Sequence, residues 1–174
     1  MIKTVLLPTD FSIESLNLLK ASARLDVGKV RVVFYHSFVL SASITELLFF
    51  SKTKTIESLV RPDFWNAVKI IRNKYSSVFD HIEVDLFVGR NGAAFENFVL
   101  GNRADYILIP EHYVMQHIHE RSDDPIKYIG HCKGVTIHRM HWTIDGNIPE
   151  KNLLSEIFQP GAPIEINKKF TPYE

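Results

Sequence analysis

Five short apolar runs, each separated from the next by a longer stretch, constrain this chain more than any other feature. They fall at Ile2–Leu7, Val30–Tyr35, Ile82–Val88, Tyr106–Ile109 and Val135–Met140. The first, second and fourth are almost continuously aliphatic or aromatic, as strands buried on both faces are. Ile82–Val88 instead alternates, with Ile82, Val84, Leu86 and Val88 set against Glu83, Asp85 and Phe87. That predicts a strand with one more exposed face, at an edge.

Between these runs the spacing changes to that of helices. Ile13, Leu16, Leu19 and Ala23 make one stripe, with Ser12 placed to cap its first turn and Gly28 to end it. Phe64, Val68, Ile71, Tyr75 and Val78 make a second, opened by Pro62, whose missing N–H costs nothing in a first turn. Ser43–Leu59 reads as a helix through Ile44, Leu47, Leu48, Ile56 and Leu59. Its Leu47–Phe50 cluster is expected to pack on the neighbouring helix. Gly89 and Gly92 flank a turn, Ala93–Asn102 turns Phe95, Phe98 and Val99 inward, and Pro125–Cys132 reads as a short helix. Five strands thus alternate with four helical stretches. This predicts an open, five-stranded parallel sheet with right-handed crossovers and helices on both faces.

The domain so defined spans residues 1–141. A C-terminal extension, 142–174, opens near the Asp145–Gly146 turn pair and carries Trp142, Ile164, Ile166 and Phe170. These large apolar groups are expected to pack on the domain or on a dimer mate. Val135 and Ile137, on the last strand of the sheet, are candidates for the same interface, because an open edge invites pairing with another chain.

Twenty basic and twenty acidic side chains cancel, which gives no general attraction to nucleic acid or to an anionic membrane. No stretch approaches the roughly 20 apolar residues of a membrane span. The opening residues lack the core of a secretory leader, and Cys132 is the lone cysteine. A cytoplasmic protein is expected.

The opening VLLPTDFSIESLNLL resembles the start of universal stress proteins, in which a strand ends on an aspartate and a Ser-x-x-Ser pair opens the first helix. Asp10, Ser12 and Ser15 stand at those positions. The resemblance continues through Gly89 and through Ala104–Ile109 as a fourth strand, over roughly residues 1–140. It implies a sheet of order 3-2-1-4-5 and a homodimer.

Many members of that family bind ATP through a Gly-x-x-Gly loop followed by Gly-Ser or Gly-Thr. Those glycines let the backbone approach the phosphates and offer its N–H groups. Here the corresponding residues are Pro110, Tyr113, Asp123 and Asp124. Proline has no N–H to offer, the tyrosine ring occupies space, and the aspartates repel phosphate. ATP is therefore not expected, nor is any other cofactor. The crevice residues to watch are Asp10, Ser12, Pro110, Glu111, His112, Tyr113, Asp123 and Asp124, with Asp10 serving as a cap or turn residue of the first helix.

His112, His117 and His119 match no common zinc spacing, so no metal is expected. A metal reading would join Glu111 and His112 with His119. Cys132, near a helix C-terminus, is expected to be inert. The function that follows is non-enzymatic: a universal-stress-like protein of the non-ATP-binding type, working in stress response through dimerisation and a partner or ligand. The alternative is a binder or hydrolase of an adenine nucleotide or other small ligand, using an altered crevice near Asp10.

Overall fold

The computed structural model describes residues 1–142 and 166–167. The strands are β1 (Ile2–Pro8), β2 (Lys29–Phe38), β3 (Phe79–Phe87), β4 (Tyr106–Pro110), β5 (Ser122–Asp123), β6 (Thr136–Met140) and β7 (Ile166–Asn167). The helices are α1 (Asn17–Ser22), α2 (Ile44–Phe49), α3 (Lys52–Leu59), α4 (Pro62–Lys74) and α5 (Gly92–Gly101). The sheet runs β3-β2-β1-β4-β6-β7. Its first five strands are parallel and carry the expected 3-2-1-4-5 order, with β6 as the fifth expected strand and β3 at the edge.

Alternation along the strands splits the core in two. Val5 and Leu7 of β1, Val32 and Phe34 of β2, and Leu108 of β4 face Leu16 and Leu19 and also Phe64, Val68 and Ile71 of α4. Leu6, Val33, Tyr35, Ile107 and Ile109 face Phe95 and Val99 of α5. Helices therefore cover both faces. Pro62 opens α4, and the Asn91 side chain caps α5 by accepting from the Ala94 N–H at 2.8 Å.

Four expectations need correction. The Ser43–Leu59 helix breaks into α2 and α3, because Phe50 and Ser51 are extended and Ser51 caps α3. The Leu47–Phe50 cluster does not pack away. Leu48 and Phe49 are 76% and 82% exposed, and Ile44 is 77% exposed, while Phe50 turns inward beside Phe38. Pro125–Cys132 forms turns ending in a 3-10 turn at Ile129–His131, so the crossover into β6 is not an α-helix. Gly28, at φ +81°, lies beyond the end of α1 and leads directly into β2.

A strand not foreseen from sequence, β5, pairs antiparallel with the end of β2, Ser37 opposite Asp123 and Phe38 opposite Ser122. The segment leaving β4 therefore reaches over β1 to the far side of the sheet. In the extension, β7 pairs antiparallel with the end of β6, Ile166 opposite Met140. Ile164 and Phe170 lie outside the described residues. Among the described residues no helix is long and apolar enough to cross a membrane.

Candidate functional site

The site lies where β1, β2 and β4 end, at the carboxyl edge where open parallel sheets hold ligands. The chain leaves β1 through Thr9 and Asp10 and turns at Phe11, whose φ of +59° is unusual for a side chain of that size. The Thr9 hydroxyl accepts from the Phe11 N–H at 2.9 Å and so supports this turn.

Asp10 is 1% exposed, and both oxygens of its carboxylate are engaged by its own chain. Oδ1 accepts from the Ser12 N–H at 3.0 Å. Oδ2 accepts from the Gln116 N–H at 2.9 Å and from the Tyr113 hydroxyl in a short hydrogen bond. The Tyr113 and Ser12 hydroxyls also meet, at 2.9 Å. Ser12 Oγ accepts from the Ser15 N–H at 3.0 Å, and Ser15 Oγ donates to the Ser12 carbonyl at 2.8 Å. The Ser-x-x-Ser pair thus opens a 3-10 turn at Glu14–Leu16, which runs on into α1 at Asn17. Asp10 is a turn residue there and also the anchor of a distant loop. Burial and the Asp10 carboxylate hold the Tyr113 phenol well above its ordinary range. Burial also raises the Glu14 carboxyl, a shift that Trp142 opposes and the Asp10 charge adds to.

Pro110 is the last residue of β4 and pairs with Met140. Asp123 and Asp124 bond within their own turn: Asp123 Oδ1 accepts from the Asp124 N–H, and Asp124 Oδ1 from the Ile126 N–H at 2.8 Å. Val135 and Ile137 are half-buried against the second core, and the Trp142 ring lies 6.1 Å from that of Tyr113.

Sequence reasoning missed His36. It is 1% exposed in the middle of an apolar run, and its Nδ1 lies 2.8 Å from the Thr9 carbonyl. A carbonyl only accepts, so Nδ1 carries the proton. Nε2, 2.9 Å from Ser122 Oγ, then accepts, and Ser122 Oγ in turn accepts from the His119 N–H at 3.2 Å. Burial lowers the His36 pKa, in keeping with this neutral tautomer. No periodicity could have marked the residue, because its partners come from two other segments.

The three histidines of the loop do not converge. His119 packs on Phe38, with ring centroids 5.4 Å apart, and its Nδ1 accepts from the Arg121 N–H. Glu111 and His112 instead meet His141, and one ligand atom from each lies within 4.8 Å of the others. Cys132 is half-buried, and burial together with Glu96 pushes its thiol up to about 11, which disfavours the thiolate near neutral pH. A cavity of about 70 Å³, lined by Ile109, Ile126, Ile129, Gly130, Ile137 and Arg139, lies on the α5 face. Ligand pockets for drug-sized molecules run to roughly 300–1,000 Å³.

No protein-family model and no curated protein matches the chain. Among solved structures it is similar to the hypothetical protein PH0823, at 15% identity and TM-score 0.47, over 84% of this chain and 100% of that one. It is also similar to a universal stress protein in complex with cAMP, at 16% identity and TM-score 0.46, over 81% of this chain and 98% of the other. A third likeness is to a protein of the universal stress protein family from Burkholderia pseudomallei, at 10% identity and TM-score 0.41, over 61% and 79% of the two chains.

Proposed function

We propose that this chain is a universal-stress-like protein of the non-ATP-binding type, which works in stress response as a cytoplasmic homodimer by engaging a partner or ligand, without catalysis. The observation that carries this reading is the burial of Asp10 and the engagement of both its carboxylate oxygens by its own chain. Its carboxylate, on a residue only 1% exposed, takes hydrogen bonds from Ser12, Tyr113 and Gln116 of the same chain, and these compete with any use of it to orient a nucleotide. The residues around it add to the argument. Pro110 offers no N–H, and Tyr113 fills the place where a glycine would admit a phosphate.

Calorimetric titration of the purified protein with Mg-ATP tests the reading. No heat of binding is expected at millimolar nucleotide, and micromolar affinity would overturn it. Sedimentation velocity tests the dimer separately, with the mass of two chains expected.

A further inference from the structure

The register of β4 and β6 places three metal-ligating side chains together that are scattered in sequence. The two strands are parallel neighbours paired through Pro110 opposite Met140. The next N–H, that of Glu111, donates to the Met140 carbonyl at 2.9 Å and carries the pairing one step past the strands. Glu111 and His141 are therefore fixed side by side by backbone, and His112 follows at once. Glu111 Oε2 stands 3.8 Å from His141 Nδ1, and the His112 ring is 5.0 Å from that of His141 at an interplanar angle of 88°.

Among the described residues the donors of this trio are uncommitted, in contrast to the carboxylate of Asp10. At 3.8 Å the Glu111–His141 contact is too long for a hydrogen bond. Among the described residues no hydrogen bond ties the Glu111, His112 or His141 side chains elsewhere. Around a tetrahedral zinc, with bonds of about 2.0–2.1 Å, neighbouring donor atoms stand roughly 3.3–3.4 Å apart. Side-chain rotation alone closes that gap from a group already within 4.8 Å. Both His141 and Glu111 are part-exposed, so an ion can enter and keep solvent in its remaining positions.

We propose that Glu111, His112 and His141 form a binding site for a divalent transition-metal cation of the zinc type, with two imidazole nitrogens and one carboxylate oxygen as ligands and water completing the shell. The donor set suits zinc, cobalt, nickel or copper, and not magnesium or calcium, which favour oxygen ligands throughout. The site is independent of whether the crevice beside Asp10 takes a nucleotide.

The test uses the full chain, stripped with chelator, titrated with Zn²⁺ by calorimetry and with Co²⁺ by visible absorption. One equivalent is expected to bind, with cobalt giving ligand-field bands that zinc abolishes. His112→Ala, His141→Gln and Glu111→Gln should each weaken zinc by at least about 10–100-fold, the range that even an outer-shell partner commands. His117→Ala should bind like the parent, because His117 stands outside the trio. Circular dichroism confirms that each variant is folded before titration. The proposal is overturned if the parent binds less than stoichiometric metal, if the His112 and His141 variants bind as tightly as the parent, or if His117→Ala loses binding equally.

Discussion

The Tyr113 hydroxyl donates to the carboxylate of Asp10 across 103 residues of sequence, and this bond joins the end of β1 to the loop that leaves β4. Tyr113→Phe removes it and leaves Oδ2 of a buried carboxylate with the Gln116 N–H alone. Losing a hydrogen bond to a charged group costs about 1.5–3 kcal/mol. Urea denaturation should show a loss in that range with an unchanged slope, and a neutral outcome would mean that the bond contributes nothing.

His36 makes stability depend on pH in the weakly acidic range. Its pKa is lowered in the folded protein, so below the unfolded value of about 6.5 the unfolded chain binds the extra proton. The stability is fully present above that pH and is lost as pH falls toward the depressed folded value. The loss can reach at most about 1.4 kcal/mol for each pH unit below 6.5. Denaturation midpoints measured between pH 7.5 and 5.5 should fall in the parent and fall less steeply in His36→Gln.

Gly92 opens α5 against the 3-10 turn that precedes β6. A Cβ there would lie 2.6 Å from His131 Cγ and 2.7 Å from His131 Cβ, atoms too close to the backbone to swing away. Alanine is the better helix former by about 1 kcal/mol, but overpacking costs about 1–3 kcal/mol. Gly92→Ala should therefore destabilise, as read from a thermal melt, and a raised midpoint would show that the turn yields.

Leu48 and Phe49 are exposed on α2, so replacing both with serine should change stability little. A shift of the melting midpoint within about 2 °C is expected for a chain of this size. A fall of several degrees would show that these side chains are packed in solution.

The sheet was legible because its signals are local. Each strand of the parallel core announces itself by an apolar run and alternation gives a parallel sheet, while the strand order was implied only by the resemblance to universal stress proteins. The Leu47–Phe50 cluster misled because apolar character predicts burial only where a neighbouring surface exists, and none of the described residues covers Leu48 or Phe49. His36 and Ser122 escaped notice for another reason. They are bonded across 86 positions, and nothing in either segment points to the other. The trio of Glu111, His112 and His141 was half seen. Two members are adjacent in sequence, but the third is supplied by a register that is known only once β4 and β6 are aligned.

β5 gives the loop above β1 a cooperative character. Several fastenings hold that loop, among them the backbone pairing of β5 with β2, the His36–Ser122 bond, and the Tyr113–Asp10 bond. Two of them tie the loop to β2 and one ties it to the end of β1, neighbouring strands of one sheet. Cutting one leaves the others to hold the loop in place, so no single side chain is its latch. Access to Asp10 is then a matter of collective release, to be read in hydrogen exchange as the joint loss of protection at Val39, whose N–H donates to the Arg121 carbonyl, and Gln116, whose N–H donates to Asp10.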